Sequence, residues 1–252
     1  MKIHSNFLAP AFTKFDPAGY IPSPAYGVNR FMLDRIGNEK ARATTIVQYQ
    51  PNSKFPEHTH IGGEEFLVLT GRFKDQFGEF PAGTYVRNPV GSQHAPWVDN
   101  DGCTIFVKLL QMADTGEGVK SLYVMCVKPD NDDDDDDNGN SCKVLELYEN
   151  KETGERVQMV WLMAGEHLAV DSRTAVSEEL FVYEGSLLLG EEEEYSKWGW
   201  LRFPVDSDKD AQRQTVRAGL QGAQVFRKTG HLTTKALSME KVQIGPDETV
   251  KA

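Results

Sequence analysis

The chain has 252 residues, of which 39% are hydrophobic and 10% aromatic, enough for one or two cored domains and too much for wholesale disorder. With 27 Lys and Arg against 38 Asp and Glu, the net charge of −11 argues against a nucleic-acid backbone or an anionic membrane as partner, since both reward basic patches. No apolar run approaches the roughly 18 residues of a membrane span, and the opening MKIHSNFLAPAFTKFD lacks the apolar core of a secretory signal. Cys103, Cys126 and Cys142 form no CxxC pair and are too few for a disulfide framework, so a cytoplasmic globular protein is expected.

Residues 1–27 read as an N-terminal extension, followed by a first domain over residues 28–128. Within it, residues 44–49 (TTIVQY), 66–69 (FLVL), 84–86 (TYV) and 104–109 (TIFVKL) are short and rich in β-branched and aromatic residues. Turn signals separate them at Pro51-Asn52, Gly62-Gly63, Phe77-Gly78, Pro81-Ala82-Gly83 and Asp99-Asn100-Asp101-Gly102, a spacing that predicts an antiparallel sandwich or barrel. Residues 129–141 then read as an acidic linker, because 130–137 (DNDDDDDD) holds seven aspartates that repel one another and bury nothing apolar. Asp134, Asp136, Asn138 and Gly139 match the start of an EF-hand calcium loop, but its twelfth position is Leu145 where a bidentate Glu is required. A second domain over residues 142–235 repeats the strand style at 157–163, 180–183 and 186–189, and residues 236–252 form a tail. The one extended helical candidate is 208–219, so the fold class is all-β.

The two halves align. Sliding residues 43–71 onto 157–185 without a gap pairs Ile46 with Val160, Glu64-Glu65 with Glu178-Glu179, Val68 with Val182 and Gly71 with Gly185. A one-residue slip then pairs Arg87 with Arg202 and Pro89 with Pro204. Two tandem copies of one β-domain are expected, each of about 115 residues.

The chemistry lies in the first copy. His58 and His60 stand at i and i+2, on one face of a strand, Glu64 follows after three residues, and His94 arrives after the turn Pro89-Val90-Gly91-Ser92. Three imidazoles and a carboxylate form a nitrogen-rich site for one divalent transition metal: zinc or iron first, then manganese, nickel or copper. With His at 6 of 252 positions, chance placement of three at specified sites is on the order of one in 10⁵.

HTHIGGEEFLVLTG resembles the first cupin motif, and GTYVRNPVGSQH resembles the second through Gly83, Pro89, Gly91 and His94. Val98 stands where that family often has an asparagine. The wording from His58 to Pro96, with DGCTIFVK after it, is similar to the cupin half of ChrR-type anti-sigma factors, over about Gly27 to Gln111. The resemblance implies two tandem cupin (RmlC-like jelly-roll) barrels, the first holding metal through His58, His60, Glu64 and His94, the second degenerate. Only about 27 residues, containing His4 and no cysteine, precede the match, so a zinc-binding sigma-factor module and sigma-factor binding are not expected.

In the second copy His58, His60 and His94 fall on Ser172, Thr174 and Lys209, while Glu64 keeps its counterpart in Glu178. Three imidazoles are thereby lost, His167 and His231 fit no ligand spacing, and a metal-free barrel is expected, with covering an edge of the first barrel or forming a homodimer as its candidate roles. Glu191 to Glu194 read as a hairpin tip, Phe66 and Val68 as barrel core, and Cys103 as a small buried hydrophobe. Arg87 is open between a carboxylate ligand near the metal and solvent. The expected function is a metal-dependent small-molecule enzyme of dioxygenase-like type. A ChrR-like sensing or binding module stands second and a structural metal barrel third.

Overall fold

The computed structural model describes residues 1–116, 118–129, 142–169, 177–204 and 215–238. The aspartate run with its calcium-loop match, and Ser172, Thr174 and Lys209, lie outside the described residues. In chain order the strands are β1 (Lys2–Ile3), β2 (Ala11–Thr13), β3 (Ile21–Pro22), β4 (Val28–Gly37), β5 (Ala41–Tyr49), β6 (His58–Thr59), β7 (Glu64–Asp75), β8 (Gly78–Pro81), β9 (Thr84–Asn88), β10 (Gln93–His94), β11 (Trp97–Leu109) and β12 (Leu122–Met125). They continue with β13 (Lys143–Asn150), β14 (Glu155–Leu162), β15 (His167–Ala169), β16 (Glu178–Leu189), β17 (Glu193–Ser196), β18 (Trp200–Phe203) and β19 (Thr215–Thr229), followed by the short helix α1 (Thr234–Ser238). No helix among the described residues is long and apolar enough to cross a membrane.

Two compact units result. In the first, the strand order is β1-β4-β5-β11-β7-β9-β12, with β3 on β4, β8 on β7, and β6 paired with β10 as a separate ribbon. In the second the order is β13-β14-β19-β16-β18-β2, with β15 on β19 and β17 on β16. The pairings in both units are antiparallel, and the architecture is that of tandem jelly-roll barrels. β2 belongs to the second unit: it pairs with β18, and Phe12 packs on Tyr195 and Phe203. The N-terminal stretch thus supplies a strand to the second sheet, as β12 supplies one beside β9 in the first.

The expected helix over 208–219 is corrected from Thr215 onward, where the chain is strand β19, pairing with β15 and β16. Thr215 and Val216 are β-branched, and two flanking partners outweigh a weak helical periodicity.

The strands read as near-continuous apolar runs because both faces are covered. On the inner face of the first barrel Val47, Val68, Ile105 and Val107 are buried, and on the opposite face Ile46, Leu67 and Phe106 are buried too. Registers refine the repeat. Val47 stands beside Ile105 and then Val68, and Val160 stands beside Val225 and then Val182, so Val160 is the counterpart of Val47. The ungapped pairing with Ile46 is one residue out, and in a strand that slip exchanges the faces. The same rows make Leu162 the counterpart of Tyr49, and Ala223 that of Cys103.

Two further features recur. Gly71 (φ +72°) and Gly185 (φ +74°) each sit at a register shift, and a Cβ on either would lie 2.2 Å or 2.1 Å from the carbonyl oxygen of Gly102 or Gly222. Gly71→Ala is therefore expected to destabilise the first unit by at least the 1–3 kcal/mol or so of a left-handed non-glycine residue, read as a lowered urea midpoint. Across three neighbouring strands, Arg87, Glu65 and Lys108 form a buried row, matched by Arg202, Glu179 and Lys228.

Candidate metal centre

The β6–β10 ribbon places His94 directly opposite His58, and Gln93 opposite Thr59, with Gln93 Nε2 donating to Thr59 Oγ1 at 2.9 Å. His60 is tied to the turn that leads into His94. Its N–H donates to Ser92 O (2.9 Å), and its carbonyl accepts from the N–H of Gly91 (2.8 Å). The turn itself closes through Ser92, whose N–H and hydroxyl both donate to Pro89 O. Local turn chemistry thus delivers histidines from two distant stretches of sequence to one point.

The three rings face one another, with centroids 5.0 Å (His58–His60), 4.8 Å (His58–His94) and 4.7 Å (His60–His94) apart. One nitrogen from each lies within 4.8 Å of the others. Glu64, at the start of β7, brings Oε2 to 3.7 Å from His60 Nε2 and 3.5 Å from His94 Nε2, while Asn88 Nδ2 donates to the same oxygen at 3.0 Å. His60, Glu64 and His94 are buried, whereas His58 is exposed at the rim.

Neighbouring acceptors set which nitrogen each ring turns inward. His58 Nδ1 lies 3.0 Å from Pro56 O and His94 Nδ1 lies 3.2 Å from Asp75 Oδ2, so each Nδ1 carries the hydrogen and each Nε2 is left as a donor atom. His60 Nε2 is buried and makes no hydrogen bond. Burial lowers the His60 pKa to about 4, with Glu64 opposing and His94 and His58 reinforcing the shift, so its imidazole is neutral near pH 7, the form that binds a metal. An orphaned buried nitrogen, two rings with matched tautomers and an adjoining carboxylate are a donor set that fits a divalent transition metal.

Asp75 was not legible as a site residue. It reads as an ordinary turn residue, and its Oδ1 does accept from the N–H groups of Phe77 (2.7 Å) and Gly78 (3.2 Å), which leaves Oδ2 for His94. Asp75→Ala is expected to weaken metal affinity about 10- to 100-fold, and Asp75→Asn, which keeps an acceptor, by less; a competitive chelator titration measures both.

Arg87 is resolved by strand parity. It lies opposite Glu65, not Glu64, so it occupies the face away from the histidines, where Nη1 is 3.2 Å from Glu65 Oε2. A ligand carboxylate at the metal has no access to it. Val98, at the place of the family's asparagine, is buried in the barrel core with Phe66 and Val68. Cys103 is buried there as well, and burial pushes its thiol up to about 12, as suits a packing residue.

In the second unit Glu178 receives Arg227 Nε at 2.5 Å, a guanidinium where the first unit has Val107. His231 Nε2 lies 3.3 Å from Glu179 on the other face, and His167 stands on β15. Glu191 and Glu192 occupy the exposed turn between β16 and β17.

Residues 9–113 match the family model of the ChrR Cupin-like domain. No curated protein sequence matches the chain. Among solved structures, the chain is similar to a bacterial pirin from Escherichia coli in complex with nickel(II), at 11% identity and a TM-score of 0.61 over 88% of this chain and 98% of that one. It is also similar to salicylate 1,2-dioxygenase from Pseudoaminobacter salicylatoxidans, at 15% identity and a TM-score of 0.53 over 93% and 87% of the two chains. A complex of that enzyme with gentisate aligns at 14% identity and a TM-score of 0.50 over 78% and 70%. The chain has the cupin fold, and its residues 9–113 are similar to the ChrR cupin-like domain.

Proposed function

We propose that His58, His60, Glu64 and His94 hold one divalent transition metal and that this centre acts on a small organic molecule with dioxygenase-like chemistry. The observation that carries the reading is the asymmetry of the donor set: three donor residues are buried and His58 stands exposed at the rim, leaving one side of the cluster towards solvent. Four protein ligands on a six-coordinate ion leave two positions for exchangeable ligands, whereas a structural zinc site is closed by its four. A bound ion would supply Lewis acidity and, if iron, redox chemistry; the protein holds the His60 imidazole neutral and, through Pro56 and Asp75, turns the rings of His58 and His94. The gentisate-bound and nickel-bound neighbours share the fold and make a small-molecule, metal-using role a natural one for it.

The test is oxygen uptake by the iron(II)-loaded chain offered catechol and gentisate, with the His58→Ala, His94→Ala double variant as control. Uptake lost in the double variant supports the reading. Metal retention without turnover of either compound counts against it and favours the second reading, a metal- or ligand-sensing module, which rests on the ChrR cupin-like match.

A further inference from the structure

Beside the turn that leads into His94 lies an open cavity of about 520 Å³, a size that suits a small molecule. Residues 91–93 of that turn form one wall, Phe77 from the β7–β8 turn a second, and Val119, Lys120, Ser121 and Tyr123 a third. The lining is largely apolar. Phe77 and Val119 are each 62% exposed, so two large apolar side chains border a concavity and face solvent. Lys120 is the one charged residue in the lining, and it pairs with no described acid. A lysine left over beside apolar walls, in a chain of net charge −11, is complementary to an anion with an apolar body.

Two of these walls also support the histidine centre. The turn exchanges backbone hydrogen bonds with His60, through Gly91 N–H and Ser92 O, and His94 follows Gln93 directly. Ser121 Oγ donates to Asn88 Oδ1 at 2.7 Å, and Asn88 Nδ2 donates to Glu64 Oε2 at 3.0 Å. Asn88 is buried, so a ligand bearing on Ser121 bears through an enclosed amide on the carboxylate. The second copy lacks the arrangement. Its registers place Phe203 at the position of Asn88 and Pro10 at that of Ser121, so neither place carries a hydrogen-bonding side chain. The polar relay accompanies the copy in which three imidazoles converge.

We infer that this cavity binds an amphipathic monoanion, an apolar body bearing one carboxylate or sulfonate, and that its occupant alters the metal centre through Ser121 and Asn88. Phe77, Val119 and Tyr123 receive the apolar body, and Lys120 receives the charge. None of the four proposed metal ligands lines the cavity, so the occupant acts as an effector and leaves the exchangeable positions on the ion free. The site stands apart from the reading of the metal centre, and only the coupling rests on that reading.

The test titrates the whole chain with anilinonaphthalene sulfonate, a dye whose fluorescence rises in apolar surroundings. Wild type is expected to bind one molecule, with or without metal. Phe77→Ala should weaken binding about tenfold, and Lys120→Gln about threefold, the size of one exposed ion pair. Both side chains are exposed, so the thermal midpoints should stay as in wild type. Octanoate should displace the dye; displacement by octanol at equal concentration overturns the choice of an anion. In the cobalt(II)-loaded chain the dye should shift the visible cobalt bands of wild type but not those of Ser121→Ala, which still binds it. Unchanged affinity in both Phe77→Ala and Lys120→Gln, or dye binding abolished by EDTA, overturns the site. Dye that binds without moving the cobalt bands, or moves them equally in Ser121→Ala, overturns the coupling. A wild type that takes up no cobalt yet binds the dye through Phe77 and Lys120 removes the metal reading and the coupling, and supports the site.

Discussion

Chain purified without a metal-chelating tag is expected to carry about one transition-metal ion, and the His58→Ala, His94→Ala double variant less than about a tenth of that. The double substitution removes two of the three imidazoles, the pair on the β6–β10 ribbon, and His60 with Glu64 alone cannot complete a closed shell. The loss should exceed the 10- to 100-fold typical of an outer-shell change such as Asp75→Ala. Binding to the native state adds stability by mass action, about 2.7 kcal/mol when free metal is 100 times Kd, so chelation should lower the thermal midpoint of wild type and leave that of the double variant unmoved. Elemental analysis with thermal unfolding in EDTA reads both effects. An occupancy near two ions per chain, or one unchanged in the double variant, would overturn the assignment.

What could be read ahead of the structure follows from distance along the chain. The HxH spacing is local and Glu64 follows it closely in sequence, so their proximity was readable, and the turn before His94 is written in Pro89, Gly91 and Ser92. The all-β class was equally legible, because β-branched runs between turn residues have few alternatives. Asp75 was not, because its role depends on a carboxylate oxygen left over after an Asx turn, which only the folded hairpin reveals. Nor was the placement of Ala11–Thr13: three residues have no readable period, and their partner β18 lies far along the chain. Arg87 and the Ile46 pairing turned on parity, where a single residue of uncertainty reverses the answer.

Glu65→Leu is expected to be among the most destabilising single substitutions in the first unit, and the reason is the row Arg87, Glu65, Lys108 on the face away from the metal. Glu65 accepts from Arg87 Nη1 at 3.2 Å and from the Tyr85 hydroxyl at 2.8 Å, and it stands between two buried cations. Its removal leaves Arg87, whose side chain is 7% exposed, without this carboxylate, and breaking such a buried pair from one side costs about 3–5 kcal/mol. Arg87→Met should cost less, about 1.5–3 kcal/mol, because Glu65 keeps Tyr85 and its register neighbour Lys108. The order of the two urea midpoints is the decisive result, since equal losses would mean that the row acts only by packing. Because Arg87 lies opposite Glu65 and Asn88 opposite Glu64, Arg87→Met should also leave metal content unchanged. A variant that sheds metal in proportion to its lost stability would show instead that the two faces of β7 and β9 are energetically one.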